Sequence, residues 1–187
     1  MANFDPNRWY YWNLADAKNS QSMKGTSLFQ DGKLGALFFE NTGVSRDKRR
    51  QQAWQFFPVD KNTYAIRCQE GGPKGLLNVG ITKGKEYTGD TVPGLASNAT
   101  NDSIFWQVSP WGDGTFYLTN QDNGTSWHLT RRPENGWVWM SSNITAPQLD
   151  QRFEFAEQMD IDDDKFSTLA VSFVPSFSPR DQVTYCT

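Results

Sequence analysis

From Arg8 onward the chain alternates apolar and polar positions in short runs separated by turn clusters. No stretch keeps apolar residues at i, i+3, i+4 and i+7 long enough to predict a helix, so the pattern predicts strands. The runs recur. Three aromatic-rich openings, Tyr10-Tyr11-Trp12, Tyr64-Ala65-Ile66 and Phe116-Tyr117-Leu118, are spaced 54 and 52 residues apart. Three closing runs, Ala53-Trp54-Gln55-Phe56, Phe105-Trp106-Gln107-Val108 and Arg152-Phe153-Glu154-Phe155, place an aromatic at intervals of 52 and 47 residues. Two landmarks holding one period mark three copies of a single unit.

Each unit has room for two more strands. Gly25-Thr26-Ser27-Leu28-Phe29, Gly75-Leu76-Leu77-Asn78-Val79 and Gly124-Thr125-Ser126-Trp127-His128 align as the second strand. Leu37-Phe38-Phe39, a weak run over Val92 to Ala96, and Trp137-Val138-Trp139-Met140 supply the third. Asp31-Gly32, Gly71-Gly72-Pro73, Asp113-Gly114 and Asn135-Gly136 are the turn signals between them. Four strands in each of three units of roughly 50 residues define an all-β fold, a β-trefoil, because a unit of that size must share its apolar face with the others. Trp12, Trp54, Ile66, Trp106, Leu118 and Phe153 are its expected core. The expected organisation is a loose leader at 1–7 and a trefoil at 8–158, with units at about 8–60, 61–111 and 112–158. A tail at 159–187 is expected to pack in part on the barrel or to act as a linker.

Composition sharpens this picture little. Aromatics at 14%, eight Trp among them, suit pleated surfaces. A net charge of −3 disfavours nucleic acid, whose phosphates need a basic face. No apolar run approaches the roughly 20 residues that span a bilayer, so membrane insertion is not expected. The first residues lack the basic and apolar regions of a secretory signal. Cys68 and Cys186 are too few for a disulfide scaffold, though one bridge between them is conceivable. Four Asn-X-Ser/Thr sequons, at Asn98, Asn101, Asn123 and Asn143, against about two expected by chance, lean toward an extracellular glycoprotein surface.

With Gln52-Ala53-Trp54, its degraded copies Ile104-Phe105-Trp106 and Gln151-Arg152-Phe153, and the Gly-X-X-Leu strands in view, residues 8–158 resemble the ricin-B-type β-trefoil lectins, most of all their fungal branch. The resemblance implies a carbohydrate-binding module with glycans or glycoproteins as partners. In such lectins an Asp ending the second strand and an aromatic platform on the third hold the sugar, and an Asn-Gln pair leads into Gln-X-Trp. Unit three matches best, with Trp137 or Trp139 as platform and Asp150-Gln151 as the pair, while His128 stands where the Asp belongs. Unit two offers Asn78 there, and unit one has Phe29. A carboxylate makes hydrogen bonds roughly twice as strong as a neutral group does, so its loss points away from plain galactose.

Other constellations carry less. His128 is the sole histidine and has no Cys or acidic neighbours at ligand spacing, so neither a metal nor a cofactor is expected. Asp160-Ile161-Asp162-Asp163-Asp164 begins like a calcium loop, but Lys165 and Val171 stand where Gly and Glu are required, so it reads as a solvated acidic turn. Arg46-Asp47-Lys48-Arg49-Arg50 reads as a basic loop. No catalytic constellation stands out. The alternatives to a lectin are a trefoil protease inhibitor or protein-interaction module acting through loops 46–50 and 80–90, and, more weakly, a pocket for an apolar small molecule.

Overall fold

The structure is a computed structural model that describes residues 2–26, 35–43, 45–81, 91–97 and 102–169. Unit one contains β1 (Arg8–Leu14), β2 (Gln21–Gly25), β3 (Leu37–Asn41) and β4 (Trp54–Asp60). Unit two contains β5 (Thr63–Cys68), β6 (Leu76–Ile81), β7 (Thr91–Ala96) and β8 (Phe105–Pro110). Unit three contains β9 (Phe116–Asn120), β10 (His128–Arg131), β11 (Val138–Ser141) and β12 (Phe153–Asp160). The first and fourth strands of the units form a closed antiparallel ring, in which β12 pairs with β1, β1 with β4, β4 with β5, β5 with β8, β8 with β9, and β9 with β12. The hairpins β2–β3, β6–β7 and β10–β11 cap it, and they touch through the bridges Gly35–Leu95 and Phe38–Trp137. This arrangement is the β-trefoil.

Closure of the ring turns the alternating runs inward. Trp12, Trp54, Ile66, Trp106, Leu118 and Phe153 are all fully buried. The Trp12 ring lies edge-on to Trp54 and to Phe153, 5.7 Å from each. The repeat tryptophans also bond: Trp54 Nε1–H donates to Met23 O at 2.7 Å and Trp106 Nε1–H to Leu77 O at 2.9 Å. The fourth strands of units one and two are thereby tied to the second strands of their own units.

Four expectations need correction. Residues 1–7 were expected as a loose leader, yet Phe4 plugs the barrel mouth. Its ring stacks on Phe56 at 4.0 Å and meets Tyr10, Tyr64 and Phe155 edge-on, while Tyr64 donates to Ala2 O. The four rings leave an aromatic-sized opening at the end of the barrel, and burying Phe4 there is worth about 2 kcal/mol. The second strand of unit one is Gln21–Gly25 and not a run from Gly25 to Phe29, whose residues 27–29 lie outside the described residues. The basic loop is a helix, α1 (Arg46–Gln51), because Ser45 caps its Lys48 amide and Arg, Lys and Gln favour helix. The fourth concerns the position of His128 and is taken up with the site.

Beyond β12 the chain turns through a short 3₁₀ helix, Asp164–Phe166, capped by Asp163. Phe166 is buried edge-on to Trp9 at 4.9 Å. Its carbonyl and that of Thr168 accept from Arg67, which is 1% exposed. Arg67 also donates to Gln55 Oε1 and Pro73 O. Burial lowers its pKa to about 10, so it remains charged at neutral pH, held by neutral oxygens and flanked by the Phe57 and Phe166 rings. Cys68 is buried against Gln51 O, and burial pushes its thiol up to about 12; Cys186 lies outside the described residues. No helix of the described residues is long and apolar enough to cross a membrane.

Two stability predictions follow from these ties. Trp106→Phe keeps the ring but orphans Leu77 O, and is expected to lower unfolding free energy by about 1–3 kcal/mol in urea titration. Arg67→Met takes the donor from Gln55 Oε1, Pro73 O and Thr168 O, while Phe166 O keeps Gln55 Nε2. It is expected to cost about 3 kcal/mol or more and to expose the 161–169 segment to limited proteolysis first.

Candidate functional site

Strand register decides which residues of the three units are equivalent. The inward pairs Met23–Phe39, Leu77–Leu95 and Leu129–Met140 occupy the same place in the three hairpins. The next residue outward is therefore Lys24 opposite Phe38 in unit one, Asn78 opposite Gly94 in unit two, and Thr130 opposite Trp139 in unit three. His128, placed there by aligning glycines, begins β10 two residues earlier, and in unit one the position belongs to Lys24, Phe29 lying outside the described residues. The glycines hold no common place in the register: Gly25 ends β2, whereas Gly75 and Gly124 precede β6 and β10.

Lys24 lies in the first of these positions with Nζ 5.2 Å from the Phe38 ring centre, and it pairs with Glu40 at 3.4 Å. In unit two Asn78 is half-buried, its Oδ1 has no hydrogen-bond partner, and Gly94 provides no ring opposite it. In unit three the Arg132 guanidinium covers Trp139 at 4.6 Å, while Thr130 turns its hydroxyl to His128 O. Two of the three outward ring positions are thus covered by cations, which gain about 0.5–2 kcal/mol from that placement, and the third has no ring.

His128 begins β10 inside the wall, 5% exposed. Its ring stacks on Tyr117 at 4.4 Å and meets Trp111 at 5.4 Å. Gln151, the repeat glutamine, fixes its tautomer. Because Gln151 Nε2–H donates to Asn143 O at 2.9 Å, its Oε1 faces His128, and His128 Nδ1–H donates to it at 3.1 Å. In unit one the equivalent Gln52 Oε1 instead accepts from the Gly43 amide, with Nε2–H on Asn41 O. Both glutamines therefore secure the loop that leads into the fourth strand. Asp150 is half-buried and accepts from Arg131 at 2.9 Å, beside a cleft of about 340 Å³ that Lys18, Gln21 and Leu149 also line.

Trp137 is the sequence-predicted residue that stays open, at 42% exposure. It shares the outward side of the hairpin with Trp139, since Val138 and Met140 between and beyond them face the core. Its position is set by the turn before it. Gly136 has φ +77, and a Cβ there would sit 2.6 Å from Phe39 O. Only glycine allows that approach, which lets Gly136 O accept from the Phe39 amide at 2.8 Å. Asn135 Oδ1 accepts from the Trp137 amide, and Arg132 N–H donates to Trp137 O. The indole is thus held beside Phe38 of unit one, 6.4 Å away and tilted by 30°. Of the predicted residues, Trp137 and Trp139 share a surface, Gln151 and His128 share an interior bond, and Asn78 stands apart in unit two. Lys24, Phe38, Thr130 and the 38% exposed Trp127 were missed, the first three because the strand register of the hairpins was misread.

The class defined by ring and hairpins is the β-trefoil, and solved structures share it. A Polyporus squamosus lectin, solved bound to a human-type influenza-binding epitope Neu5Acα2-6Galβ1-4GlcNAc, is 18% identical with a TM-score of 0.61, over 83% of this chain and 50% of its own. The designed 3-fold symmetric protein ThreeFoil is 12% identical with a TM-score of 0.61, over 80% of this chain and 99% of its own. Cry35Ab1 is 16% identical with a TM-score of 0.61, over 84% of this chain. The chain spans half the length of the Polyporus lectin and 37% of that of Cry35Ab1. At these identities the likeness is one of fold. No family model matches the chain, and no curated protein matches its sequence.

The buried histidine yields a pH prediction. Burial lowers the His128 pKa below its ordinary 6.5, and the Gln151 bond raises it by less. The unfolded chain then binds a proton that the folded one refuses, so stability is whole above about 6.5 and falls as pH drops toward the folded-state pKa. His128→Gln is expected to flatten the loss of thermal stability between about pH 7 and 5. An unchanged slope in scanning calorimetry would remove His128 as its source.

Proposed function

We propose that this protein is a non-catalytic, lectin-like module that binds carbohydrate on unit three, with Trp137 as the platform. The observation that carries the reading is a half-exposed indole locked in place by the Asn135-Gly136 turn and a neighbouring unit. A rigid ring of this kind offers an apolar face to a pyranose without ordering cost at binding. Charged and polar groups stand close by for the hydroxyls, with Lys24 and Glu40 on the Phe38 side. The lectin among the structures of like fold supports the same reading at the level of the fold.

The specificity proposed is not plain galactose. The residues at the equivalent outward position of the second strands are Lys24, Asn78 and Thr130, none of them a carboxylate, and Trp139 is covered by Arg132. On a glycan array, the wild-type chain is expected to retain a defined set of glycans, and Trp137→Ala to weaken each by about tenfold or more, a loss of about 1.4 kcal/mol. Arg132→Ala frees the Trp139 face and is expected to change the set and not abolish it. Absence of binding at millimolar glycan would sink the reading, and binding indifferent to Trp137→Ala would move the site elsewhere.

A further inference from the structure

A cleft of about 730 Å³ lies away from the hairpin of unit three, between α1 and the end of β12 with the segment that follows it. Its walls carry opposite charges. Arg46, Arg49 and Arg50, at i, i+3 and i+4, share one face of α1. Asp160, Asp162 and Asp163 stand across from them and outnumber the one cation of that wall, Lys165, with Trp9 and Phe166 also lining the cleft. Among the described residues no ion pair crosses the gap. Arg50 turns to Glu70 at 3.5 Å and Asp160 to Arg8 at 3.1 Å, while Asp163 Oδ1 caps the Lys165 amide. Among the described residues Arg46 and Arg49 on one side and Asp162 on the other have no charged partner.

Both walls are fixed. Ser45 caps α1 at its start, Gln52 ends it by donating its amide to Lys48 O and Arg49 O, and Arg67 anchors the opposite wall through Phe166 O. The gap falls within the range of ligand clefts, about 300–1,000 Å³. A polyanion such as nucleic acid or a sulfated glycan would be drawn by one wall and repelled by the other.

We propose that this cleft docks an extended segment of a partner protein carrying both charges, with an acidic residue against Arg46 and Arg49 and a basic residue against Asp162 and Asp163. The inference is independent of the sugar reading, since it uses no residue of unit three's hairpin. Complementary charge of this kind steers association and sets the register of the bound segment.

The test uses the full chain and three fluorescein-labelled, Gly-spaced peptides: one with two Glu followed by two Lys, one all Glu and one all Lys. The mixed peptide is expected to bind most tightly by fluorescence anisotropy. Arg46→Glu/Arg49→Glu and Asp162→Lys/Asp163→Ser are each expected to weaken it about tenfold or more, with Ser kept as a cap at 163. These positions are exposed, and the variants are expected to keep the wild-type near-UV circular dichroism. Combining Arg46→Glu/Arg49→Glu with Asp162→Lys/Asp163→Ser again makes the walls opposite and is expected to restore binding within about threefold of the wild type. Tighter binding of the all-Glu peptide, no binding of the mixed peptide at millimolar concentration, or indifference to either wall variant would overturn the proposal. Self-association abolished by Arg46→Glu/Arg49→Glu would overturn it too, by giving the cleft to a second copy.

Discussion

The bond on which the fold turns runs from an indole to a carbonyl. Trp54 and Trp106 each occupy the barrel centre and each donate one hydrogen bond to the second strand of their own unit. A buried donor left unpaired would cost about 1–3 kcal/mol, so the ring can fill the core only if the hairpin arrives beside it. Packing and polar satisfaction are thus met by one side chain, and barrel and cap form together. Unit three lacks the bond because Phe153 has no donor. It compensates by stacking Phe153 on Phe39 of unit one at 5.8 Å.

That dual demand explains why the fold was legible in the sequence. A residue that must fill the core and reach a carbonyl is hard to replace, so Gln52-Ala53-Trp54 and its copies stand out, as do the aromatic openings. Register was less legible. Gly25 ends its strand while Gly75 and Gly124 precede theirs, and counting from them missed Lys24 and Thr130. Phe4 was illegible for a different reason. A single aromatic in a polar run has no period, and only the hole left by Tyr10, Phe56, Tyr64 and Phe155 gives it a place.

The candidate site was legible by residue type and not by exposure. Trp137 and Trp139 alternate onto one surface as period two requires, yet Arg132 closes one ring and the Gly136 turn presents the other. Neither partner lies at a spacing that a linear reading ties to the rings. His128 and Gln151 were read as possible contacts for a ligand and are contacts for each other, since the glutamine that secures the loop in unit one by a backbone amide does so in unit three by an imidazole. The departures from threefold symmetry are where chemistry gathers: at Trp137 on one side, and at the two charged walls beside α1 on the other.

Arg67 links the structure to the order in which the chain is made. It lies on the fifth strand, but two of the carbonyls that neutralise it belong to Phe166 and Thr168, 99 and 101 residues further on. The ring closes by the pairing of its first strand with its last. In a nascent chain emerging from the ribosome Arg67 would thus stay in water and the barrel edge stay open until almost all described residues had appeared. Folding here belongs to the finished chain, at the slow rate that pairings between distant residues impose.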